Sequence, residues 1–382
     1  FLYMIKMLYY FIMSDDINNL TRNSIQEIPA YTPGHSIEAI KKATGRHSFT
    51  KLASNENPLG CSLSKDELSQ CFNDCDVYPD TNTHPLIKSL AQKHQLSTNH
   101  LILGNGSDEI FQSLALAFLN TNDIVLSAEH TFSVYQSATL LRGAIYTPIT
   151  MKNYGYDYQA ICEAITDQTK LIFIANPNNP TGSYLRYDEL SKFLSQVPNH
   201  VIVVLDEAYK DYVETDPLDS NLNLLQSYPN LIITRTFSKI YGLAGLRIGY
   251  GMADKALIQL LNKVRLPFNT NIAALNAAHL ALETKSDFVR HSQVMNQTGY
   301  ALYKDAATSW PVHCLASKGN FICLVMTHHS AEEAFNYCLN HGFIIRKLTS
   351  FGLPNAIRIT IGKPNQNEGV IACLNQFFGS KS

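Results

Sequence analysis

The sequence lacks the features that mark several large protein classes. It has 30 Lys or Arg against 32 Asp or Glu in 382 residues, a net charge of −2, and no basic run that would serve a nucleic acid or an anionic membrane. It has no apolar run long enough to span a bilayer, which takes about 20 residues. The longest lies at the start, FLYMIKMLYYFIM over residues 1–13, and Ser14-Asp15-Asp16 follow it where a signal peptide would place a small-residue cleavage site. It reads as a translated upstream prefix, with the natural start at Met7 or Met13. Paired cysteines are missing too. The eight are scattered, and although Cys71 and Cys75 could share a helix face, no second pair or His cluster completes a metal site. Free thiols imply a reducing compartment, hence the cytoplasm. There is no internal repeat and no low-complexity linker.

What is present is an ordinary globular composition, 45% apolar and 16% charged, at a length that favours two domains. Residues 14–46 contain Tyr31-Thr32-Pro33-Gly34, a turn signal, and read as an arm. Short apolar runs follow at Leu101–Leu103, Ile124–Leu126, Leu171–Ala175, Val201–Leu205 and Leu231–Ile233, separated by helix-like stretches such as Glu109–Leu119 and Tyr187–Leu194. That alternation predicts an α/β domain with a largely parallel sheet over 47–270. In residues 271–382, helices near Asn271–Glu283, Phe288–Ala307 and Ala331–Asn340 accompany strand candidates at Phe321–Val325, Phe343–Ile345 and Ile357–Ile361. They predict a smaller α+β domain.

Open α/β sheets bind ligands beyond the carboxyl ends of their strands, and four of these runs deliver unusual polar residues there. The first leads into Gly104-Asn105-Gly106-Ser107-Asp108 at a helix start, where free N–H groups suit a phosphate. The third glycine of a dinucleotide fingerprint is missing, which argues against a nicotinamide site. Leu171–Ala175 leads into Asn176-Pro177-Asn178-Asn179-Pro180-Thr181-Gly182, a rigid loop. Val201–Leu205 ends at Asp206-Glu207-Ala208-Tyr209; a carboxylate just past a buried strand calls for a cation. Leu231–Ile233 leads to Thr236-Phe237-Ser238-Lys239 and then Arg247, small hydroxyls and a cation around a lysine. Desolvation favours the neutral, nucleophilic form of an amine.

With Lys51–Gly60, Tyr78-Pro79-Asp80, and Phe351–Asn355 before Arg358-Ile359-Thr360, these motifs resemble fold-type I pyridoxal-phosphate enzymes of the aspartate aminotransferase superfamily. Within it the chain resembles the histidinol-phosphate aminotransferase family, from about Leu20 to the C-terminus. The resemblance implies pyridoxal 5'-phosphate held by Lys239 as a Schiff base, with Lys239 moving the proton at the substrate α-carbon. Asp206 would pair with the ring nitrogen. Asn179 and Tyr209 would meet the ring oxygen, and Gly106, Ser107, Asp108, Thr236, Ser238 and Arg247 the phosphate. Tyr135 is the expected stacking residue and Phe132 the alternative. Tyr78 would reach the phosphate across the interface of a homodimer with shared active sites.

For substrate, the resemblance assigns Arg358 to a carboxylate as a bidentate pair and Arg346 to a phosphate, with Tyr31 and Asn57 completing the pocket. His130 departs from the family's usual proline. The implied reaction moves the amino group of L-histidinol phosphate to 2-oxoglutarate, within histidine biosynthesis and without a metal. An aromatic amino-acid aminotransferase and a phosphothreonine-type decarboxylase are rivals on the same scaffold. A sensor domain of a transcription regulator would carry an upstream DNA-binding domain.

Overall fold

The computed structural model describes residues 19–26, 28, 48–213 and 220–379. Tyr31, the prefix 1–13 and most of the arm 14–46 lie outside them.

The strands up to residue 253 are β1 (Thr50–Lys51), outside the main sheet, and, in the larger body, β2 (Leu101–Gly104), β3 (Ile124–Ala128), β4 (Ile145–Ile149), β5 (Thr169–Ala175), β6 (Ile202–Asp206), β7 (Leu231–Thr236) and β8 (Gly249–Ala253). All but β1 form one sheet in the order β2-β8-β7-β6-β5-β3-β4, parallel except for β8, which runs against both its neighbours. The central strands are apolar along their whole length because both faces of the sheet are covered. Alternate residues feed two cores. Leu103, Leu126, Ile174, Leu205 and Ile233 face one, and Ile102, Val125, Phe173, Val204 and Ile232 face the other, as the two-residue period of a strand requires.

Sequence pattern predicts five of these seven strands and misses β4 and β8. β4 carries Pro148, which an edge strand tolerates because one side of its ladder is unpaired. β8 reads GYGMA, too poor in β-branched residues to stand out. Its glycines serve close approach instead: a Cβ on Gly249 would lie 2.6 Å from the Ser107 backbone nitrogen.

Helices α1 (Pro85–His94), α2 (Ser107–Phe118), α3 (Val134–Leu140), α4 (Tyr187–Leu194), α5 (Lys255–Val264) and α6 (Ile272–Thr284) surround this sheet. In α6, Ala274, Ala277, Ala278 and Ala281 are buried in the same core as Leu86 and Leu90 of α1, so the helix beyond residue 270 still packs with the large sheet. The second body has β9 (Val312–Cys314), β10 (Phe321–Met326), β11 (Phe343–Ile344), β12 (Arg346–Lys347) and β13 (Ala356–Thr360), with α7 (Ser286–Ala306), α8 (Ala331–Asn340) and α9 (Pro364–Gly379). Its antiparallel sheet has the order β12-β13-β10-β9. Tyr303, Trp310, Ile322, Ile357 and Phe377 lie in its core.

The single strand expected at Phe343–Ile345 is two short ones. β11 pairs with β1, while β12 joins β13 and sets Arg346 opposite Arg358. Leu52, just after β1, packs into the second core, and its carbonyl accepts from the Thr360 backbone N–H at 2.9 Å. The chain from 50 to 60 therefore starts on the small body and crosses to the large one.

Candidate active site

Strand register brings the polar clusters together. Ala175 lies beside Asp206, and Asp206 beside Thr234; one pleat further on, Thr236, Gly249 and Gly104 form a row. Period two then sorts β7. Thr234 and Thr236 share one face, and Arg235 takes the other.

At one end of this row α2 begins. Its N-cap is Gly106, at φ 82°, with no side chain capping the first turn, so the opening N–H groups are left for an anion. The φ of 82° at Gly106 explains the glycine, and a Cβ there would also meet Arg247 Nη2 at 2.5 Å. Arg247 Nη1 donates to Ser238 Oγ at 3.4 Å and Nη2 to Asp108 Oδ2 at 3.4 Å; the Thr236 hydroxyl donates to Ser238 Oγ at 2.9 Å. Burial raises the Asp108 carboxyl above its ordinary value, while Arg247 and then Lys239 oppose that rise. Ser107, Asp108, Thr236, Ser238 and Arg247 thus form one cradle around a helix N-terminus.

Asp206 is 5% exposed. Oδ2 accepts from the Tyr135 hydroxyl at 2.6 Å; Oδ1 accepts from the Ala208 N–H at 3.1 Å and the Thr234 hydroxyl at 3.4 Å. All three donors are neutral, and among the described residues no cation pairs with it. Burial pushes its pKa up to about 6, against the hydrogen bond from Tyr135. Lys239 is half-buried, with Nζ 3.4 Å from the Ser54 carbonyl and 5.6 Å over the Tyr209 ring. The Tyr209 hydroxyl accepts from Asn55 Nδ2 at 2.9 Å.

The small body supplies the opposite case, a cation among neutral acceptors. Arg358, 5% exposed, donates through Nη2 to the Ala53 carbonyl at 2.7 Å and through Nη1 to Asn179 Oδ1. Its Nε is buried without a partner among the described residues. Burial lowers its pKa to about 10; Tyr209 opposes this and neighbouring Arg346 adds to it. A buried guanidinium with a spare donor beside a second guanidinium is a receptor for an anion.

Comparison with known proteins agrees with this geometry. The family model for aminotransferase class I and II matches residues 37–374. The chain belongs to the class I and II aminotransferases. It is 39% identical over 355 residues to the histidinol-phosphate aminotransferase of Bacillus velezensis, covering 92% of this chain and 98% of that one. It is 40% identical over 356 residues to histidinol-phosphate aminotransferase 1 of Nitrosococcus oceani, covering 93% and 96%. The crystal structure of histidinol-phosphate aminotransferase from Sinorhizobium meliloti in complex with pyridoxal-5'-phosphate superposes with a TM-score of 0.85 at 24% identity, covering 95% and 98%. The fold is therefore the fold-type I architecture.

Two expectations need correction in this aminotransferase. Tyr135 does not present a face to a ligand: it is fully buried, stacked on Phe173 at 4.6 Å and 9°, with Phe111 and Phe132 edge-on. Phe132, the alternative, is half-buried and packs edge-on against Tyr135. Asn57 does not reach into a pocket. Its Nδ2 donates to the Ile240 carbonyl at 2.8 Å and Ser292 Oγ at 2.9 Å, while its Oδ1 accepts from the Leu59 N–H at 3.0 Å. Its amide holds the crossing segment to the lysine turn. Tyr78, expected to serve a partner's phosphate site, is 78% exposed and stacks on Phe268 at 4.5 Å.

Asn55, two positions before Asn57, is the residue that pattern reading passes over. Its φ of 56° is a conformation that asparagine adopts more readily than most side chains, and its amide is what touches Tyr209. His130 is a second case. Its Nδ1–H donates to the Phe351 carbonyl at 2.8 Å, and the Phe351 ring lies 5.9 Å from the Arg358 guanidinium. The residue that departs from the family's proline ties the loop before α3 to the segment packed on Arg358.

Proposed function

We propose that this chain uses pyridoxal 5'-phosphate to move the amino group of L-histidinol phosphate to 2-oxoglutarate, giving imidazole-acetol phosphate and L-glutamate. The observation that carries the cofactor assignment is Asp206. A buried carboxylate that meets only neutral donors fits a protonated pyridine nitrogen, and the uncapped start of α2 with Arg247 fits the phosphate. Bound there, the cofactor supplies the electron sink that weakens the substrate's α-carbon C–H bond.

The protein's own part is attachment, orientation and proton transfer. Lys239 holds the cofactor carbon and moves the proton at the substrate α-carbon. Asn179 and Tyr209 orient the ring oxygen, Phe132 covers the ring, and Gly106, Ser107, Asp108, Thr236, Ser238 and Arg247 bind the phosphate. Arg358 takes the anionic end of each substrate in turn, the phosphate of the donor or the α-carboxylate of the acceptor. Arg346, its cross-strand neighbour, adds the second positive charge that a phosphate requires.

We further assign the functional unit to a homodimer in which Tyr78 and Tyr31 serve the partner's site. Exposed Phe72, Val77, Tyr78, Leu266 and Phe268 support this, since apolar side chains so open to solvent suit a covered face. Two bodies, 47–270 and 271–382 with α6 attached to the first, would close on the substrate. Among the described residues no helix is long and apolar enough to cross a membrane, and we place the enzyme in the cytoplasm.

Single-turnover mixing of the cofactor-loaded protein with histidinol phosphate, phenylalanine and phosphothreonine, read by the cofactor's visible absorbance, tests the substrate. Histidinol phosphate should discharge the band fastest. Discharge by phenylalanine alone, or release of carbon dioxide from phosphothreonine, would replace this reading with one of its rivals.

A further inference from the structure

Tyr135 carries a polar group that nothing in the reaction scheme uses. Its ring is locked from three sides by Phe173, Phe111 and Phe132, and its hydroxyl has one place to go, the Asp206 carboxylate at 2.6 Å. Apolar packing alone would be served by phenylalanine, since Phe111 of α2, Phe173 of β5 and Phe132 already surround the ring with carbon. An O–H donated to a carboxylate in a dry core is among the stronger hydrogen bonds a protein makes, and it acts on the ionised form.

We propose that Tyr135 is the positioning residue of Asp206, fixing Oδ2 and holding the carboxylate ionised so that it can keep a proton on the cofactor's ring nitrogen. The other oxygen is set by the Ala208 N–H and, more weakly, by the Thr234 hydroxyl. Without the tyrosine hydroxyl, Oδ2 would lose its only protein donor among the described residues, and burial would favour the neutral acid. A neutral acid holds a pyridinium proton less well. The consequence is electronic, although Tyr135 never touches the cofactor.

This inference rests on the assignment of Asp206 to the ring nitrogen, and the experiment separates the two. Cofactor-loaded protein and its Tyr135→Phe, Asp206→Asn and Phe173→Leu variants, with the double variant Tyr135→Phe/Asp206→Asn, are compared. The readouts are the visible spectrum across pH, the cofactor dissociation constant and kcat against KM. Tyr135→Phe should weaken cofactor binding by roughly ten-fold or more, move the pH midpoint of the visible band and lower kcat with KM little changed. It should add nothing in the Asp206→Asn background, because no ionised carboxylate remains to be held. Phe173→Leu, which loosens the ring but spares the hydroxyl, should leave the midpoint in place. An unchanged midpoint and dissociation constant in Tyr135→Phe would overturn the inference, as would the same shifts in Phe173→Leu. If Asp206→Asn itself leaves spectrum and affinity unaltered, it is the assignment of Asp206 that fails. Should Tyr135→Phe not fold, a fluorotyrosine at position 135, which keeps the ring and donates from a more acidic hydroxyl, should move the midpoint in the parent and not in Asp206→Asn; an unmoved midpoint in the parent would overturn the proposal.

Discussion

Two carboxylates one residue apart, Asp206 and Glu207, lie on opposite sides of the sheet and lead opposite lives. Glu207 is buried against Arg235, with Nη2 at 2.7 Å and Nε at 2.8 Å, and its other oxygen accepts from Asn221 Nδ2 at 2.7 Å. Asp206 is buried among neutral donors. The alternation of β7 makes the difference: Arg235 points to the side of Glu207, while Thr234 and Thr236 point to the side of Asp206. One face of the sheet closes its charges on themselves, and the other leaves them for a ligand. Arg358, on the small body, repeats the second pattern with the sign reversed: a buried guanidinium that meets only neutral acceptors among the described residues.

The largest effect should come from the open face. Lys239→Ala should lower kcat by about 10⁴-fold or more, in line with the upper range for a lost acid–base group. Borohydride reduction should no longer fix the cofactor to that protein. Activity near the parent's would end the reading of the site.

On the closed face, Arg235→Met strands Glu207 in the core. It should cost about 3–5 kcal/mol of stability by urea titration, the usual penalty for breaking one side of a buried pair. The double change Arg235→Met/Glu207→Leu should recover most of that. If the double variant is as unstable as the single one, the pair is not self-contained and the contrast between faces is lost.

Asp206 gives a prediction of intermediate size with a definite sign. Its pKa in the folded, cofactor-free protein is about 6, raised from 3.8, so the folded state holds a proton that the unfolded chain has released. Stability of the cofactor-free form should therefore fall as pH rises from about 4 to about 6, by on the order of 3 kcal/mol. Asp206→Asn should flatten that fall and make the cofactor-free form more stable at pH 7, while binding the cofactor less well. A cofactor-free parent whose stability is level across this window would mean that Asp206 is better solvated than its burial implies.

The smallest effect concerns the join between the bodies. His130→Ala removes the bond to the Phe351 carbonyl and should cost about 1 kcal/mol of substrate binding, a several-fold rise in KM for 2-oxoglutarate at similar kcat. His130→Asn, which keeps a donor near the same place, should recover part of it. A drop in kcat with KM unchanged would place His130 with the cofactor instead.

Sequence by itself determined much of this protein. Continuous apolar runs marked β5, β6 and β7, because strands buried on both faces need no alternation. Each run ended in the residues that form the cofactor side, since a polar residue after such a run sits at a sheet end. Helices α4 and α8 were legible at their observed bounds from amphipathic spacing. Tertiary structure decided the rest. β4 and β8 carry Pro148, Gly249 and Gly251, which local preference counts against a strand but an edge position and a close helix make room for. Asn55 and Asn57 look alike in sequence; only the left-handed turn at Asn55 and the fully occupied amide of Asn57 tell which one meets Tyr209. Tyr135 was legible as an aromatic in a strand-end loop but not as a partner of Asp206, because the two meet across 71 residues of chain. Residue type announces what chemistry is possible. Which group stays free to do it depends on who occupies its hydrogen bonds, and those partners come from distant strands.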